Sequence, residues 1–375
     1  MKEGWEKYSL MDICNVTTGK HDANHAEING KYRFYTCSSQ YVYCNTKRYE
    51  GECIILPGNG INVGESYYYN GEFDAYQRTY VIDKIDKRII PMYLFYHLQN
   101  NWKSEGVAKQ YGSATNYIKI GNFKDYIVKM PQSLSEQQSI VDYLDSAFAK
   151  IDAMKANAEK ALIEAKALFQ ASLKEMLEPK EGWEEKNLGD ICEIIRGKRF
   201  VRTDIIENGV PCIHYGDIYT HYGLSVKKTR GCINPELAKK MRFAEKNDVV
   251  VVQAGENNWD IGVGVAYFGE EPAAVHDACF ILKHKQDPMY ISYYLRSYNY
   301  HRYLVDYVHE GKICSFLKPA LENAPIPLPP FSEQQSIVAT LDSLKSKVDR
   351  LQENYDKISQ ECDALKQAIL RQVFE

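Results

Sequence analysis

Apolar residues recur every seven positions along two long segments of the chain, and this pattern predicts two helices. The seven-residue spacing joins Leu144, Ile151, Ala158 and Ala165 in the first segment, and Leu341, Val348, Tyr355, Cys362 and Ile369 in the second. Such a repeat is typical of left-handed coiled coils. Residues 135–178 and 332–375 contain neither glycine nor proline, so each segment predicts one uninterrupted helix.

The sequence also predicts where these helices begin and how they pair. Ser135 and Ser332 are each followed three residues later by glutamine, which is a capping-box pattern, and Pro179 should end the first helix. The first helix carries small residues at heptad positions where the second carries larger ones. We therefore expect the two helices to pack antiparallel, with Ala158 near Tyr355. The alternative is that each helix lies on its own domain.

The chain is an imperfect internal repeat. Residues 134–141 return as residues 331–338, both containing Ser-Glu-Gln-Gln-Ser-Ile-Val, at an offset of 197. Gly4-Trp5-Glu6 returns as Gly182-Trp183-Glu184 at an offset of 178, so the second copy holds 19 more residues between these landmarks. The repeated segments therefore enclose two inserts of unlike sequence. Because the chain begins with the same residues that follow the first long helix, the repeat also predicts that the two termini lie close together.

Short apolar runs that end in turn residues predict strands outside the long helices. Such runs occupy residues 53–56, 67–69 and 80–82 in the first copy, and residues 249–252, 262–268 and 280–282 in the second. Residues 91–98 and 289–300 each predict a helix. The expected fold class is α+β, with two pseudo-two-fold-related globular domains at residues 1–133 and 182–331. An antiparallel coiled coil of the helices within residues 134–181 and 332–375 should separate them.

Composition narrows the class of protein further. The net charge is −4 and no segment is a basic tail, so any affinity for DNA must be local or shared with a partner. The sequence has no run of eighteen apolar residues and no signal-peptide core, and its ten cysteines include no Cys-x-x-Cys. We therefore expect a cytoplasmic protein with reduced thiols and no membrane segment.

Motifs that carry catalysis or bind a cofactor are missing from the sequence. No Gly-Lys pair is followed by Ser or Thr, which excludes a P-loop, and no proline is followed by aspartate, which excludes the Pro-Asp start of a common nuclease motif. Leu328-Pro329-Pro330-Phe331 resembles the Asn/Asp-Pro-Pro-aromatic loop of DNA amino-methyltransferases, but leucine cannot accept a hydrogen bond from the target amine. His21 and His25 have no cysteine or carboxylate at a metal-ligand spacing, so we expect no metal site and no catalytic residue.

The order of these features resembles a known family. Two variable domains each begin with Gly-Trp and each lead through prolines into Glu136-Gln137-Gln138 or Glu333-Gln334-Gln335. This arrangement, over the whole chain, is similar to the specificity subunit of type I restriction–modification systems. The first copy departs from the usual Pro-Pro lead-in, because Gln132 follows Pro131.

The resemblance implies a non-catalytic DNA-binding chain. Each globular domain would read one half of a bipartite, asymmetric site on double-stranded DNA, and the coiled coil would fix the unread spacer. Two methyltransferase subunits would dock on the helices, and restriction subunits with motor and nuclease activity would join them. S-adenosylmethionine, ATP and Mg²⁺ would then belong to those partners, and this chain would bind no cofactor of its own.

Basic and amide side chains in loops are the candidates for reading DNA, because Arg pairs with guanine and Asn or Gln with adenine. In the first domain we predict contacts from Lys20, His21, Lys47, Arg48, Gln77, Arg78, Ser113, Asn116 and Lys119. In the second domain we predict contacts from Arg196, Lys198, Arg199, Arg202, Tyr215, Lys227, Lys228, Arg230, Asn257, Asn258, Trp259 and Lys312.

Two other functions stay open on the sequence alone. One is the specificity module of a type IIB-like restriction–modification enzyme, because the catalytic partners are separate chains in that case too. The other is a coiled-coil scaffold that binds two proteins and no nucleic acid. Salt-dependent DNA binding by the purified complex would exclude the scaffold.

Overall fold

The computed structural model describes residues 4–107, 111, 116–258, 260–309, 311 and 313–375. The chain divides into two units, of which unit 1 comprises Met1–Glu159 and Asn354–Glu375 and unit 2 comprises Lys160–Glu353. Each of the two long helices contributes one part of its length to each unit.

Unit 1 mixes short strands and short helices. Its elements are β1 (Trp5–Ser9), α1 (Leu10–Ile13), β2 (Asn15–Thr18), β3 (Tyr32–Tyr35), β4 (Val42–Cys44), β5 (Glu52–Pro57), β6 (Tyr67–Asn70), β7 (Phe73–Ala75), β8 (Thr79–Asp83), α2 (Pro91–Asn101), α3 (Ile120–Lys124), β9 (Ile127–Pro131) and the first part of α4 (Leu134–Met176). The described residues of this unit form sheets with strand orders β1-β9, β2-β8-β5-β6 and β4-β3-β7.

Strand β5 lies between two apolar cores of unit 1. Ile54 and Leu56 face the core that contains residues of α2, whereas Cys53 and Ile55 face a smaller core around Phe73. Because successive side chains of a strand point to opposite faces, a strand covered on both faces is apolar at every position. This explains the continuous apolar run that predicted the strand.

Unit 2 repeats this plan with more strands. Its elements are β10 (Glu184–Asn187), α5 (Leu188–Ile191), β11 (Cys192–Arg196), β12 (Ile205–Ile206), β13 (Val210–Ile213), α6 (Tyr215–Thr220), β14 (Ser225–Val226), β15 (Gly231–Ile233), α7 (Pro235–Ala238), β16 (Phe243–Ala244), β17 (Val249–Val252), β18 (Ala254–Gly255), β19 (Gly264–Tyr267), β20 (Ala273–Val275), β21 (Cys279–His284), α8 (Pro288–Tyr294), α9 (Tyr298–Val305), β22 (Cys314–Ser315), α10 (Lys318–Glu322), β23 (Pro325–Leu328) and the first part of α11 (Phe331–Phe374). The sheet orders are β10-β23, β11-β21-β17-β19-β14, β12-β15-β13-β20-β16 and β18-β22.

The two predicted long helices are confirmed as α4 and α11, and they pack against each other within each unit. In unit 1, Lys366 Nζ lies 2.6 Å from Asp152 Oδ1 and Lys155 Nζ lies 3.5 Å from Asp363 Oδ1, so the helices run antiparallel. In unit 2, Lys166 Nζ donates to Gln352 Oε1 at 2.7 Å. The predicted contact of Ala158 with Tyr355 stays a prediction, although both side chains are half-buried.

Burial, rather than these exposed ion pairs, stabilises the helices, because surface ion pairs contribute little. All nine predicted heptad residues are buried or half-buried. Leu144 also joins the core of unit 1, and Leu341 joins the core of unit 2. The helices therefore pack on the globular parts as well as on each other, so the two alternatives weighed from the sequence are not exclusive.

The predicted caps of the long helices are wrong. Ser133 caps α4, because its carbonyl accepts from Gln137 N at 3.1 Å and its hydroxyl accepts from Glu136 N at 3.4 Å. The carbonyl of Pro330 accepts from Gln334 N at 3.0 Å and starts α11 in the same way. Ser135 and Ser332 thus lie inside the first turn.

Two predicted helix ends also differ. Helix α4 stops at Met176, before Pro179. The single helix predicted at residues 289–300 is two helices, α8 and α9, because the hydroxyl of Ser297 accepts from Tyr300 N at 3.3 Å and caps a new helix.

The middle glutamine of each Glu-Gln-Gln motif is fully buried and ties a long helix to its own unit. Gln137 Oε1 accepts from Ile90 N at 2.8 Å, and its Nε2 donates to the carbonyls of Arg88 and Pro131, both at 2.9 Å. The amide therefore joins three segments, and the motif is structural.

Gln334 makes the matching contacts in unit 2. Its Oε1 accepts from Asp287 N at 3.0 Å, and its Nε2 donates to Gln286 Oε1 and to the carbonyl of Pro329, both at 2.9 Å. The repeat seen in the sequence is thus a repeat of a buried hydrogen-bond network.

Both ends of the described chain pack on one aromatic residue. The ring centroid of Tyr93 lies 6.2 Å from that of Trp5 and 5.5 Å from that of Phe374. This agrees with the expectation that the two ends lie close together. Among the described helices, none is both long and apolar enough to cross a membrane.

Candidate nucleic-acid interface

A glycine follows β2 in unit 1 and β11 in unit 2, and in each unit it begins a loop that packs closely against another strand. Gly19 N donates to the carbonyl of Thr79 at 3.3 Å, and Gly197 N donates to that of Cys279 at 2.9 Å. A Cβ on Gly19 would lie 1.7 Å from the carbonyl oxygen of Ala75, and one on Gly197 would lie 2.2 Å from that of His276. Only glycine fits so close an approach, so both loops have a fixed starting point.

Two parallel strands end beside each of these glycines. In unit 1, β3 and β7 pair in parallel with Tyr35 opposite Ala75. In unit 2, β13 and β20 pair in the same way with Ile213 opposite Val275. Parallel strands end at the same edge of a sheet, so the residues that follow them emerge together.

A further loop lies at the same edge of each unit. It follows β5 in unit 1 and β17 in unit 2. The carbonyl of Gly58 accepts from Ile118 N at 3.0 Å, and the carbonyl of Gln253 accepts from Phe316 N at 3.3 Å. We call residues 19–22, 58–62, 76–79 and 116–119 the loop face of unit 1. Residues 197–202, 253–258, 276–279 and 313–316 form the loop face of unit 2.

Six of the predicted DNA contacts in the first domain meet in the loop face of unit 1, namely Lys20, His21, Gln77, Arg78, Asn116 and Lys119. Gln77 N donates to the carbonyl of His21 at 2.9 Å, which joins two of the loops. Gln77 and Arg78 line a cavity of about 400 Å³ beside Tyr117. Ser113 lies outside the described residues.

The backbone of Lys47 and Arg48 lies at the opposite end of β7 from Gln77. The amide of Arg48 donates at 3.0 Å to the carbonyl of Phe73, the first residue of β7, whereas Gln77 follows the other end of that strand. Lys47 is paired with Glu72. The structure therefore does not bring Lys47 to the other candidates. Arg48 is closer to them, because its Nε donates at 3.3 Å to the hydroxyl of Tyr49, which donates at 2.8 Å to the carbonyl of Thr18 directly before the loop of Gly19.

In unit 2 the cluster Arg196, Lys198, Arg199 and Arg202 is exposed along the loop face or directly before it. Arg196 Nε donates to the carbonyl of Asp277 at 2.8 Å, and Arg242 donates to the carbonyl of Arg196 at 2.6 Å. Tyr215 lies near this cluster, with its ring centroid 5.1 Å from that of His276. Asn257 and Asn258 belong to the same face, and Trp259 and Lys312 lie outside the described residues.

Three further cations of unit 2, Lys227, Lys228 and Arg230, line a different cleft of about 640 Å³. Glu207, Glu270 and Glu271 line this cleft as well. Arg230 is paired with Asp217 at 3.4 Å. Carboxylates repel phosphate, so this cleft is a poorer candidate for DNA than the loop face.

Two histidines of unit 2 were missed by the sequence analysis. His214 follows β13 and His276 follows β20, and their ring centroids are 4.7 Å apart. Burial lowers the pKa of His214 to about 4 and also lowers the pKa of His276, so both rings are neutral at pH 7. A polar residue directly after a short apolar run is the signal that marks both positions.

The family model for the type I restriction modification DNA specificity domain matches residues 2–165 and again residues 180–360. The chain therefore belongs to this family, and it carries two copies of the domain. The sequence-based resemblance to type I specificity subunits is thus confirmed.

Two relatives show how far the likeness extends. The specificity subunit of the type I restriction enzyme EcoDI from Escherichia coli is 35% identical over 156 residues, which cover 42% of this chain and only 34% of that protein. The specificity subunit of the type I restriction enzyme MjaVIII from Methanocaldococcus jannaschii is 23% identical over 380 residues, which cover 92% of this chain and 87% of that protein.

Two solved structures share the fold. A chain from a type I restriction–modification system, studied for its complex assembly and conformational transition, gives a TM-score of 0.74 at 19% identity and covers 100% of this chain and 98% of its own. The HsdS subunit of Thermoanaerobacter tengcongensis gives a TM-score of 0.56 at 19% identity and covers 99% and 97%. At such identities the likeness concerns the fold.

Proposed function

We propose that each loop face reads one half of a bipartite, asymmetric DNA site. The observation that carries this proposal is that both units have the same arrangement of strands and loops at the loop face, but different side chains on those loops. Gly19 and Gly197 begin matching loops, yet His21 follows in one and Arg199 in the other. Loops with arginine and amide side chains suit the major groove, where all four base pairs differ in their hydrogen-bonding groups.

The exposed cations of these faces supply a local attraction for phosphates. The chain as a whole has a net charge of −4, so much of the phosphate neutralisation would come from partner chains. In this proposal the chain is non-catalytic and works in the cytoplasm. S-adenosylmethionine, ATP and Mg²⁺ serve methyltransferase and restriction subunits that join it.

An exposed leucine repeated on the two long helices supports docking of two methyltransferase subunits. Leu168 of α4 is 61% exposed in unit 2, and Leu365, at the corresponding position of α11, is 47% exposed in unit 1. Ile163 is 59% exposed, but its counterpart Gln360 is polar. A pair of equivalent apolar positions fits two copies of one partner better than two different partners. The helices between these positions would fix the unread spacer.

The first experiment exchanges residues 1–133 for the corresponding segment of another family member. Methylated sites are then sequenced in cells that contain the complex. We expect one half of the site to change and the other half, with the spacer length, to stay the same. A change in both halves would contradict the assignment of one half-site to each loop face. Absence of DNA binding by the purified complex would contradict the proposal as a whole and would favour the scaffold.

The second experiment tests the docking surface. Leu168→Lys and Leu365→Lys should each leave a complex with one methyltransferase subunit in place of two, as measured by the mass of the purified complex. Ile163→Lys is the matched control and should keep both subunits. Equal loss in all three variants would show that the repeated leucines have no special role.

A further inference from the structure

Two histidines and a buried aspartate of unit 1 come together beside the loop that starts at Gly19. His21 Nε2 lies 3.5 Å from Asp74 Oδ2, and the rings of His21 and His25 are stacked with centroids 3.7 Å apart. One ligand atom from each of the three side chains lies within 4.8 Å of the others. The three come from the loop after β2, a 3₁₀ turn at Ala23–His25 and strand β7.

Asp74 is the informative member of this cluster, because its side chain is only 1% exposed. Its carboxylate accepts from the hydroxyl of Thr46 at 2.6 Å and from Ala75 N at 2.8 Å. Both donors are neutral, and a buried carboxylate is costly unless a positive charge compensates it. A cation beside Asp74 would supply that charge.

The fold itself does not require a carboxylate at this position. In unit 2 the residue before the last one of β20 is Ala274, which matches Asp74 of β7 in the parallel pairing. Arg199 stands where unit 1 has His21, two residues after the loop glycine. Among the described residues, the cluster is therefore specific to unit 1, and a structural role common to both units does not explain it.

We propose that His21, His25 and Asp74 bind a zinc ion, with water as the fourth ligand. Two imidazoles and one carboxylate form a donor set that zinc accepts, and three protein ligands with one water give a tetrahedral site. Two ligands at about 2.1 Å from a tetrahedral ion are roughly 3.4 Å apart. The observed 3.5 Å between His21 Nε2 and Asp74 Oδ2 matches this spacing.

Thr46 supports the ligands from outside the proposed site. Its hydroxyl lies 2.8 Å from His25 Nε2 and donates to Asp74 Oδ2. Thr46 would hold the carboxylate in place and support His25 from outside the coordination sphere of the ion. The ion would fasten residues 21–25 to β7, and His21 would act as a metal ligand rather than as a contact to a base. The sequence predicts no metal site here, because Asp74 is distant from both histidines along the chain.

The test uses the full-length chain, stripped with a chelator and then titrated with Zn²⁺ against a chromophoric chelator. We expect one tight equivalent of zinc. The ten cysteines are rival ligands, so Co²⁺ is used as a second probe. Its visible spectrum should lack the sulfur-to-cobalt charge-transfer band that thiolate ligands produce.

Three variants and one control decide the ligands. His21→Ala, His25→Ala and Asp74→Ala should each weaken zinc binding by more than about tenfold, because losing even an outer support of a metal ligand has that effect. The control is His221→Ala, which removes an exposed histidine 3.9 Å from Asp217 in unit 2 and should leave zinc affinity unchanged.

Thermal unfolding separates loss of the ligand from loss of the fold. Without metal, Asp74→Ala should still unfold in one cooperative transition, since unit 2 has alanine at the equivalent position. With zinc, only the unaltered chain and the control should gain stability. Absence of binding, binding that survives Asp74→Ala, or a sulfur charge-transfer band would each overturn the proposal.

Discussion

Unit 1 and unit 2 share the contacts that fix their backbones and differ in the side chains at their loop faces. The buried glutamines Gln137 and Gln334 each hold a long helix to three backbone or side-chain partners. At the loop faces, Tyr76 of unit 1 corresponds to His276 of unit 2, and both follow the last residue of a parallel strand. A repeat of this kind keeps its geometry while its recognition surface changes.

The apolar cores of the two units differ as well, because one of them contains a histidine that can become charged. His97 of unit 1 is 1% exposed, whereas the residue at the corresponding position of unit 2 is Tyr294. His97 Nδ1 lies 3.0 Å from the hydroxyl of Tyr126, and its Nε2 accepts from Lys129 N at 3.2 Å. The hydroxyl of Tyr294 instead donates to the carbonyl of Pro325. One core therefore contains a group that acid can protonate where the other has a phenol.

Alanine at either loop glycine should have the largest effect. Gly19→Ala and Gly197→Ala bring a Cβ within 1.7 and 2.2 Å of a carbonyl oxygen, so the loop must leave the strand. We expect a loss of about 4 kcal/mol in the free energy of unfolding of the altered unit. Urea unfolding of the full chain measures it. Each variant should also spoil recognition of one half-site only.

The matched controls are Gly121→Ala in unit 1 and Gly223→Ala in unit 2. A Cβ at either position has no heavy atom within 4 Å, apart from its chain neighbours and its own helix. Both controls should unfold like the unaltered chain. If a control were as damaging as the loop variants, the close approach at Gly19 and Gly197 would not be the cause.

Replacing the buried glutamines should have the next largest effect. Gln137→Leu leaves Ile90 N and the carbonyls of Arg88 and Pro131 without this partner. Gln334→Leu removes the partner of Asp287 N, of Gln286 Oε1 and of the carbonyl of Pro329. Each change should cost about 3 kcal/mol, because buried polar groups lose their hydrogen bonds. Gln138→Leu, on the exposed next residue, should cost less than about 0.5 kcal/mol. Sensitivity in one copy but not in the other would break the equivalence of the two networks.

These glutamines also show which features of the structure could be predicted from the sequence and which could not. The motif is visible as a repeat, and its spacing predicts a helix cap. Its partners at residues 88–90 and 286–287 are distant in sequence, so the buried hydrogen bonds could not be predicted. The long helices were predicted well because their signal, a seven-residue period, is local. The pairing of β3 with β7 joins segments that are distant in sequence. Residue spacing therefore could not predict that His21 contacts Gln77, or that Lys47 lies apart from both. The two neutral histidines of unit 2 each follow a short apolar run, but their proximity depends on the pairing of β13 with β20, which is not local either.

Acid should destabilise unit 1 through His97, which gives a smaller effect. Burial lowers the pKa of His97 to about 3, below its value of about 6.5 in the unfolded chain. The neutral ring therefore contributes stability that is complete above pH 6.5 and is lost as the pH falls towards 3. At about 1.4 kcal/mol per pH unit, the loss between pH 7 and pH 5 is about 2 kcal/mol.

The measurement compares the unaltered chain with His97→Gln at both pH values. The glutamine amide can still accept from Lys129 N but does not titrate, so the variant should lose about 2 kcal/mol less on acidification. His214 and His284 of unit 2 also have pKa values lowered to about 4 by burial, and they contribute equally to both proteins. An identical acid response of the two proteins would show that His97 does not differ in pKa between the folded and unfolded chain.

The smallest expected effect tests which cations of unit 1 face DNA. Lys20 lies on the loop face, whereas Lys47 is paired with Glu72 and lies away from it. Lys20→Ala should weaken binding to all DNA sequences by less than about 1 kcal/mol and should lower the slope of log Kd against log salt by about one. Lys47→Ala should change neither quantity, although both lysines are exposed and carry the same charge. Titrations of the purified complex at several salt concentrations measure both, and a lower slope for Lys47→Ala would move the DNA surface of unit 1 away from the loop face.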